Sequence, residues 1–515
     1  MFTAFTTTVC LGGLSAFLYS LYHLVTLFLH TRRSKKLSCQ PCLAVPSGFL
    51  GIRLFLDVRN AHRQGQVANK FRSIHLQNGN TVRLDPPGGK VILTCEPDNI
   101  QAILASQFSS FGLSYFRHRQ YHPLFGDGIF TSDGKRWEGS RKLLRPQFAR
   151  SEIPEIGWFD DHVKRFIGAL PPDGQVFDSQ ELFFRLALDA ATDFLFGESV
   201  YSLSFAASNQ TGVAEASCEG RQGFAEAFDY SQYVLFQRTI ALHLYWLVNP
   251  SKFRQSNKIV HRFVDYYVDK ALRQAGREKA DSQQRYCFLQ ALAGQSKDAK
   301  VLRDQMVNVL LASRDDTASL LSSIFYFLAR HQDTWEKLKA EVRQTAHAGP
   351  VTLKEVQSLP YLRAVINEAL RLFPPVPINA RVAHHDTTIP VGGGPDGQAP
   401  VYIKKGQSVV YSVWSVHRRT DIWGPDAEVF RPERWEERKQ NAWEFLPFNG
   451  GPRACLGQQF AVVQASHLIF RIAQEFETLE NAGPGPDLGT HPPMRQTLTM
   501  CHQNGVHVRL YRNRA

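Results

Sequence analysis

Cysteine is scarce in this sequence, with 8 residues in a chain of 515. A density this low excludes a small fold held together by disulfides, since such scaffolds are short and rich in cysteine. Cys39 and Cys42 form a C-x-x-C pair, but the sequence has no second pair to complete a zinc site and no βαβ pattern around the first. We therefore interpret this pair as part of a linker.

Internal repeats, low-complexity tracts and arginine-rich segments with interleaved aromatic residues are also missing. The last absence argues against nucleic-acid binding. Hydrophobic residues make up 43% of the chain, which is enough for a packed core and excludes wholesale disorder. The formal net charge of +12 suits an anionic lipid surface or an acidic electron-transfer partner, or it has no specific role.

Formal charge is absent from Phe2 to Leu29, a segment rich in Leu, Phe and Val. About 20 apolar residues span the core of a bilayer. The basic cluster at residues 32–36 then places that end of the span in the cytosol. A cleaved signal peptide would carry basic residues before the span and a small-residue cleavage site after it, and neither is present. We predict a transmembrane anchor over residues 1–30, a basic, proline-containing linker over 31–60 and one large domain over 61–515.

Periodicity and turn residues predict a mainly α-helical body with small β-sheets. Apolar residues at helical spacing dominate from Pro97 onward. Asn78-Gly79 is typical of a hairpin turn, and the Pro and Gly residues at 86–89 mark the next one. The glycine run at 392–397 lacks the Lys-Ser/Thr of a phosphate-binding loop, and we interpret it as a hairpin connection between two short apolar segments.

Cys455 is the most informative cysteine. Residues 448–457 read Phe-Asn-Gly-Gly-Pro-Arg-Ala-Cys-Leu-Gly, which fits the pattern Phe-x-x-Gly-x-Arg-x-Cys-x-Gly at every fixed position. Glycine lets the backbone approach a flat cofactor closely, and a cation such as Arg453 lowers the pKa of a nearby thiol. A helix is expected after Gly457, with the positive end of its dipole toward the thiol. A buried structural cysteine is the alternative for a lone cysteine, but five fixed positions favour a ligand.

This run resembles the haem-binding loop of the cytochrome P-450 superfamily, in which the cysteine thiolate is the proximal ligand of haem iron. The resemblance implies a P-450-type haem domain with haem b as cofactor, Cys455 as axial ligand and Phe448 beside the haem. It further implies that the haem propionates are bound by the residues Trp137, Arg141, Arg381 and Arg453. The first two are four residues apart and so share a helix face, for which an ordinary amphipathic helix is the alternative.

Glu368 and Arg371 form a Glu-x-x-Arg pattern on a predicted helix. On sequence alone, an i,i+3 pair of this kind is usually a surface ion pair of little energetic value. The resemblance implies instead that the pair is buried and joins Arg434, in a Pro-Glu-Arg segment, on the proximal side of the haem. The role of this cluster would be architectural.

The predicted distal helix departs from the superfamily pattern Ala/Gly-Gly-x-Asp/Glu-Thr, in which an acid and an alcohol deliver protons to iron-bound dioxygen. Asp315 takes the acid position, Asp316 stands where threonine is expected, Thr317 follows one residue late and Ser313 replaces glycine. In one interpretation, Asp316 is an acid whose pKa is raised by burial. In another, a helix distortion brings Thr317 into place. The third interpretation is poorly coupled oxygen activation, in which peroxide is released. The fourth is a haem-thiolate rearrangement that does not activate oxygen.

The C-terminal third carries a finer resemblance. Residues 379–383, 386–397, 417–427 and 446–453, with 224–232 upstream, resemble the fungal membrane-bound branch that hydroxylates alkanes and fatty acids. This implies a single-pass protein of the endoplasmic reticulum membrane with a cytosolic catalytic domain. Electrons would come from an NADPH-cytochrome reductase or a cytochrome b-type donor.

The resemblance implies hydroxylation of an aliphatic C–H bond in a long, lipid-like substrate. A fatty acid, an alkane and the alkyl part of a fungal secondary metabolite stay open as substrates, as do the carbon attacked and oxidation past the alcohol. The alternative function is an isomerase or dehydratase that needs no NADPH. Segments 111–130, 224–236, 376–379 and 498–500 are the expected substrate contacts, and they are rich in Phe, Leu, Val and Tyr.

Overall fold

The computed structural model describes residues 2–149, 157–204, 221–274, 286–345, 352–437, 441–485 and 487–513. Its helices are long and numerous and its strands are short, which confirms the predicted mainly α-helical body with small sheets. The α-helices are α1 Phe2–Lys36, α2 Ile52–Arg63, α3 Val67–Asn78, α4 Pro97–Gln101, α5 Tyr115–Phe125, α6 Gly134–Ala149, α7 Gly157–Gly168, α8 Ser179–Phe196, α9 Arg221–Ile240, α10 Ser251–Gln274, α11 Phe288–Ala293, α12 Ala299–Leu311, α13 Thr317–Leu328, α14 Gln332–Thr345, α15 Leu353–Gln357, α16 Pro360–Leu372, α17 Val413–Val416, α18 Thr420–Trp423, α19 Arg434–Glu437 and α20 Gln458–Glu475.

The strands form one sheet of six strands and three smaller sheets. In the large sheet the strand order is β1-β2-β3-β9-β6-β4, with β3 and β9 parallel and β6 and β9 antiparallel. The strands are β1 Leu43–Ala44, β2 Thr81–Leu84, β3 Val91–Thr94, β4 Phe111–Gly112, β5 Phe177–Asp178, β6 Ile378–Ala383, β7 Thr387–Gly393, β8 Ala399–Ile403, β9 Ser408–Ser412, β10 Phe476–Asn481, β11 Met494–Gln496, β12 Met500–His502 and β13 His507–Arg512.

The core lies where α13 packs against α8, α16 and α20. Phe183, Ile324, Leu362 and Leu468 belong to one buried apolar cluster there. A second cluster joins α9, α10, α11 and α12. A π-helical turn over Ala312–Asp316 connects α12 to α13, so that one nearly continuous helical segment runs through both clusters. This segment and the loop before α20 position the candidate site.

One predicted hairpin turn is wrong and two are confirmed. Asn78 is the last residue of α3, and Gly79, with φ of 94°, ends that helix. Both a hairpin turn and a helix C-terminus need positive φ after the last regular residue, so the dipeptide signal alone does not separate them. The turn at 86–89 does connect the antiparallel strands β2 and β3. The glycine run likewise connects β7 and β8.

The N-terminal region contains more regular structure than a linker. Residues 31–60 include the end of α1, all of β1 and most of α2, and Leu54 is buried against Val82 and Leu93. Helix α1 covers the predicted anchor. Across the described residues, however, no helix combines the length and apolarity needed to cross a bilayer. The anchor over residues 1–30 stays a prediction.

Candidate haem site

Cys455 lies in a tight loop between a 3-10 turn at Gly451–Arg453 and the start of α20. Its backbone N–H donates to the carbonyl of Phe448 over 2.9 Å. Gly451 has φ of +66°, and a Cβ there would lie 2.0 Å from the carbonyl oxygen of Leu104. The loop therefore requires glycine at this position, as the sequence pattern indicated.

The Cys455 side chain lies deep in the protein but is accessible, because it faces an internal cavity. Of the residues predicted to contact haem or oxygen, Asp315 is the one outside the cavity walls. The predicted residues in the walls are Trp137, Arg141, Asp316, Thr317, Arg381, Phe448, Arg453 and Cys455. The structure thus brings together residues from four separate stretches of the sequence.

The electrostatic surroundings of the thiol differ from the prediction. Burial raises the pKa of Cys455 to about 11, and the Asp316 carboxylate across the cavity adds to this. The Gly457 N–H and the Arg141 guanidinium oppose the rise. We expected Arg453 to lower this pKa, but Arg141 does so, because it hydrogen-bonds to the Ala454 carbonyl at 3.1 Å. Coordination to a metal deprotonates a thiol outright, so the ligand role does not require a low pKa beforehand.

Three guanidinium groups gather at one edge of the cavity. Burial, together with the charges of Arg381 and Arg117, lowers the pKa of Arg453 to about 10, although Asp133 opposes the fall. Arg117 is also held below its ordinary pKa by burial and by Arg381. In the described part of the chain, Asp133 is the one carboxylate paired with any of the three, and it contacts Arg453. Arg117 lies beside Arg381 because both donate from Nη1 to Asn379 Oδ1, at 3.2 Å and 3.3 Å respectively.

This edge fits the propionates of haem. An excess of buried cations needs anions, and two propionates would supply them. Arg453 Nε is buried with no hydrogen-bond partner among the described residues, so a donor is free there. The Arg453 guanidinium lies 4.3 Å from the centroid of the Trp137 ring, and that of Arg141 lies 5.8 Å away. The Cys455 thiol, the Trp137 indole and these cations therefore line one cavity, and their chemistry fits a haem held by a cysteine ligand.

The proximal charges form a closed network. Arg371 donates twice to Glu368, at 2.9 and 2.7 Å, and Arg434 Nε donates to the same carboxylate at 2.8 Å. The Trp435 indole N–H is a further donor, at 3.0 Å. Glu368 and Arg371 have no exposed surface, and Arg434 is 3% exposed. The pair is therefore buried rather than a surface ion pair.

Asp316 and Asp315 point in different directions from the π-helical turn. Asp316 faces the cavity, and its Oδ1 is buried without a hydrogen-bond partner among the described residues. Burial raises the pKa of Asp316 to about 8, and the charge of Asp315 adds to the effect. The Asp316 carboxyl is therefore protonated at neutral pH. Thr317 follows it in the cavity wall.

Asp315 instead faces α9. Its Oδ1 lies 3.3 Å from Arg314 Nη1, and Arg314 donates to Asp229 on α9 at 2.5 and 3.3 Å. Burial raises the pKa of Asp315 to about 6, although the Arg314 charge opposes the rise. Asp315 therefore belongs to an ion-pair network behind the cavity.

Sequence patterns missed Arg117, because no motif marks it. It lies in the 111–130 segment expected to contact substrate, and only the three-dimensional contact with Asn379 reveals its place beside Arg381. Ile129, Phe130, Val376 and Asn379 from the expected segments do line the cavity, whereas residues 224–236 and 498–500 do not.

Comparison with known proteins places these observations in one family. The Cytochrome P-450 family profile matches residues 46–500. Cytochrome P-450 52A12 of Debaryomyces hansenii is 44% identical over 494 residues, covering 92% of this chain and 93% of its own. Cytochrome P-450 52A3-A of Candida maltosa is 43% identical over 488 residues, covering 92% of each chain. Cytochrome P-450 52A6 of Candida tropicalis is 41% identical over 493 residues, covering 93% of each. The chain therefore belongs to the cytochrome P-450 family and is a monooxygenase that uses haem iron with an axial cysteine thiolate.

Proposed function

We propose that this monooxygenase hydroxylates an aliphatic C–H bond of a long-chain, lipid-like substrate, with O2 and electrons supplied by a reductase. The observation that carries the proposal is the apolar part of the wall of the cavity that contains Cys455. Burial of an alkyl chain against such a wall stabilises binding by roughly 0.8 kcal/mol per methylene. The wall includes the side chains of Ile129, Phe130, Leu144, Phe148, Val309 and Leu320.

Cys455 would ligate the iron, and the bound haem supplies thiolate-assisted O–O cleavage. Arg117, Arg381 and Arg453 would neutralise the propionates at the cationic edge of the cavity, while Trp137 donates its indole N–H and Arg141 fixes the loop that carries the ligand. Phe448 would pack beside the cofactor. Glu368, Arg371 and Arg434 would hold the proximal side rigid.

Asp316 would supply a proton on the distal side. Its carboxyl is protonated at neutral pH and faces the cavity, and its Oδ1 has no hydrogen bond to any described residue that would have to break before the proton moves. Thr317 would assist as a hydroxyl in the same wall. Asp315 would act behind them, as a second acidic group that connects Asp316 to the Arg314–Asp229 pair near the surface.

The family match supports monooxygenation over the isomerase or dehydratase alternative. Fatty acids and alkanes are the substrates we favour, since the resemblance in the C-terminal third is to the branch that hydroxylates them. The alkyl part of a fungal secondary metabolite is the second choice, favoured by the replacement of the expected threonine by Asp316.

We further propose a microsomal location, with α1 in the membrane and the domain in the cytosol. Support comes from exposed apolar side chains on two neighbouring surface segments, here called the apolar face, which include Phe49 at 82%, Leu50 at 71% and Trp246 at 61% exposure. The loop at 86–88 joins the two groups, since Gly51 packs against Pro86 and Gly88 packs against His243. A cavity of about 890 Å³ opens between this loop, His243 and the end of α1. A lipophilic substrate would enter here from the bilayer.

The test uses microsomes that contain the full chain and NADPH-cytochrome reductase. We expect the reduced protein with carbon monoxide to show the thiolate Soret band, lost in Cys455→Ala and kept in Cys287→Ala, a matched buried cysteine. Turnover is then measured with a fatty acid and an alkane of equal length. A folded protein without the band would refute the ligand assignment, and no turnover of any lipid-like compound would refute the substrate class.

A further inference from the structure

Two histidines lie one helical turn apart on α5, and an aspartate follows just after the helix. The His118 and His122 ring centroids are 4.9 Å apart. His118 Nε2 lies 2.9 Å from Asp127 Oδ1, and His122 Nε2 lies 3.9 Å from Asp127 Oδ2. One ligand atom from each residue falls within 4.8 Å of the others. We propose that His118, His122 and Asp127 bind a divalent transition-metal ion, Zn²⁺ in the first instance, at a site separate from the haem.

The donor set suits this class of ion. Two imidazole nitrogens at i,i+4 on one helix face and a carboxylate oxygen form a recurring zinc arrangement. Ligands at zinc distances stand about 3.3 Å from one another, so only the His122 ring has to move closer. The side chains are 30%, 45% and 36% exposed, which lets the ion and its remaining water ligands reach the site from solvent.

Contacts with Asp304 hold the backbone of Asp127, the residue that supplies the carboxylate. The Asp127 N–H donates to Asp304 Oδ2 over 2.9 Å. Gly126 precedes it with φ of +54°, and a Cβ there would lie 2.1 Å from the Asp304 carboxyl carbon. Asp127 is therefore tied through its backbone to α12, and its side chain is left to face the histidines.

Two cations compete with the metal for this carboxylate. Lys300 Nζ lies 3.0 Å from Asp127 Oδ2 and 2.7 Å from Asp304 Oδ2, and Arg136 Nη1 lies 3.7 Å from Asp127 Oδ1. When the metal binds, Lys300 can keep its shorter contact with Asp304. This competition gives the site a testable signature, because removal of the lysine charge strengthens binding of a cation.

The opposite face of α5 connects the site to the cavities. Arg117 lines both the haem cavity and the larger cavity at the apolar face. Gln120 donates to the Arg238 carbonyl of α9 at 3.2 Å, and Tyr121 contacts Thr239 at 2.9 Å. A metal that joins α5 to the segment before α6 would therefore restrict the movement of α5, which forms part of the wall between the two cavities.

The test titrates Zn²⁺ into the chelator-stripped, haem-loaded full chain, with a chromophoric chelator as competitor. We expect His118→Ala, His122→Ala and Asp127→Asn each to weaken one equivalent of Zn²⁺ by about tenfold or more, as expected for loss of one of three ligands. His385→Ala is the matched control, because among the described residues that exposed ring hydrogen-bonds to the backbone carbonyl of Asp386 alone. Its affinity should equal that of the wild type.

Lys300→Met separates a ligand role from a folding defect. Arg303 remains beside Asp304, at 3.4 Å, so the buried carboxylate keeps a cation. We expect Lys300→Met to bind Zn²⁺ more tightly than the wild type and amide exchange in α5 to slow when Zn²⁺ is bound. Wild-type affinity in the double variant His118→Ala/His122→Ala, or weaker binding in Lys300→Met with an unchanged carbon monoxide spectrum, would overturn the proposal.

Discussion

At the scale of a single residue, the proposed role of Asp316 as a distal proton donor can be tested by substitution. We predict that Asp316→Asn, which keeps the shape and removes the proton, lowers product formed per NADPH consumed and raises peroxide release. General acid catalysis contributes about 10²–10⁴-fold to a rate, so the loss should be at least tenfold. Thr317→Val is the matched control and should lose less. Asp316→Thr should also change the amount of product formed per NADPH consumed. No change in either Asp316 variant would mean that Asp316 delivers no proton.

The raised pKa of Asp316 also predicts a pH dependence of stability. An unfolded Asp titrates near pH 3.9, whereas burial raises the pKa of this one to about 8 in the folded protein. Between these values the folded state binds the extra proton, so the free energy of unfolding falls as pH rises from about 4 to 8. Chemical denaturation of wild type and Asp316→Asn at several pH values checks this. From about pH 4 to 8, the free energy of unfolding should fall more with rising pH in the wild type than in the variant.

Arg117 is the residue that the structure adds to the cationic edge of the cavity. We predict that Arg117→Ala lowers the fraction of purified protein that carries haem, because one of three cations at the propionate edge is lost. Arg119→Ala is the control, since Arg119 lies two residues further on the same helix and its guanidinium packs over Tyr115 at 4.4 Å. Haem absorbance per protein measures both. Equal haem content in the two variants would contradict the assignment.

Sequence and structure agree on most of the site for a physical reason. Cys455, Arg453 and Phe448 lie within one loop, and Trp137 and Arg141 lie on one helix turn, so fixed spacing carries their geometry. Which of Asp315 and Asp316 faces the cavity depends on how their helix packs in the fold, and the place of Arg117 depends on a contact with Asn379, more than 250 residues away along the chain. Neither follows from spacing.

At the scale of elements, the π-helical turn between α12 and α13 is the local distortion that one interpretation of the sequence required. Asp316 and Thr317 both line the cavity, whereas Asp315 faces α9. Successive residues of a helix lie about 100° apart around its axis, so one broad face can carry both the carboxyl and the hydroxyl while Asp315 points elsewhere. This arrangement supports a combined role for the carboxyl and the hydroxyl rather than a choice between them.

The helix α16 depends on its buried charges. We predict that Glu368→Gln destabilises the protein by about 3–5 kcal/mol, because Arg371 and Arg434 would stay buried without their carboxylate. Glu181→Gln breaks an exposed i,i+4 pair with Arg185 and should cost no more than about 0.5 kcal/mol. Denaturant unfolding of both variants measures the difference. A Glu368→Gln protein as stable as the control would show that the network is not architectural.

At the scale of the whole molecule, the sequence correctly indicates one large helical body, because long amphipathic segments repeat from α4 to α20. It does not indicate that the segments of Phe49, Leu50 and Trp246, which make up the apolar face, are neighbours. They are neighbours because the loop at 86–88 packs against Gly51 on one side and His243 on the other. Close packing of two glycines thus brings together segments almost 200 residues apart.

This face predicts how the domain lies on a membrane. Trp246 is 61% exposed, whereas Trp335 is 1% exposed in the core. An indole on an apolar face partitions into the lipid interface, so brominated phospholipids in the microsomal membrane should quench Trp246 fluorescence. We expect Trp246→Phe to remove most of the bromolipid-dependent quenching, whereas Trp335→Phe leaves it in place. Equal quenching in wild type and Trp246→Phe would mean that α1 alone holds the protein at the membrane and that the cavity mouth stays in water.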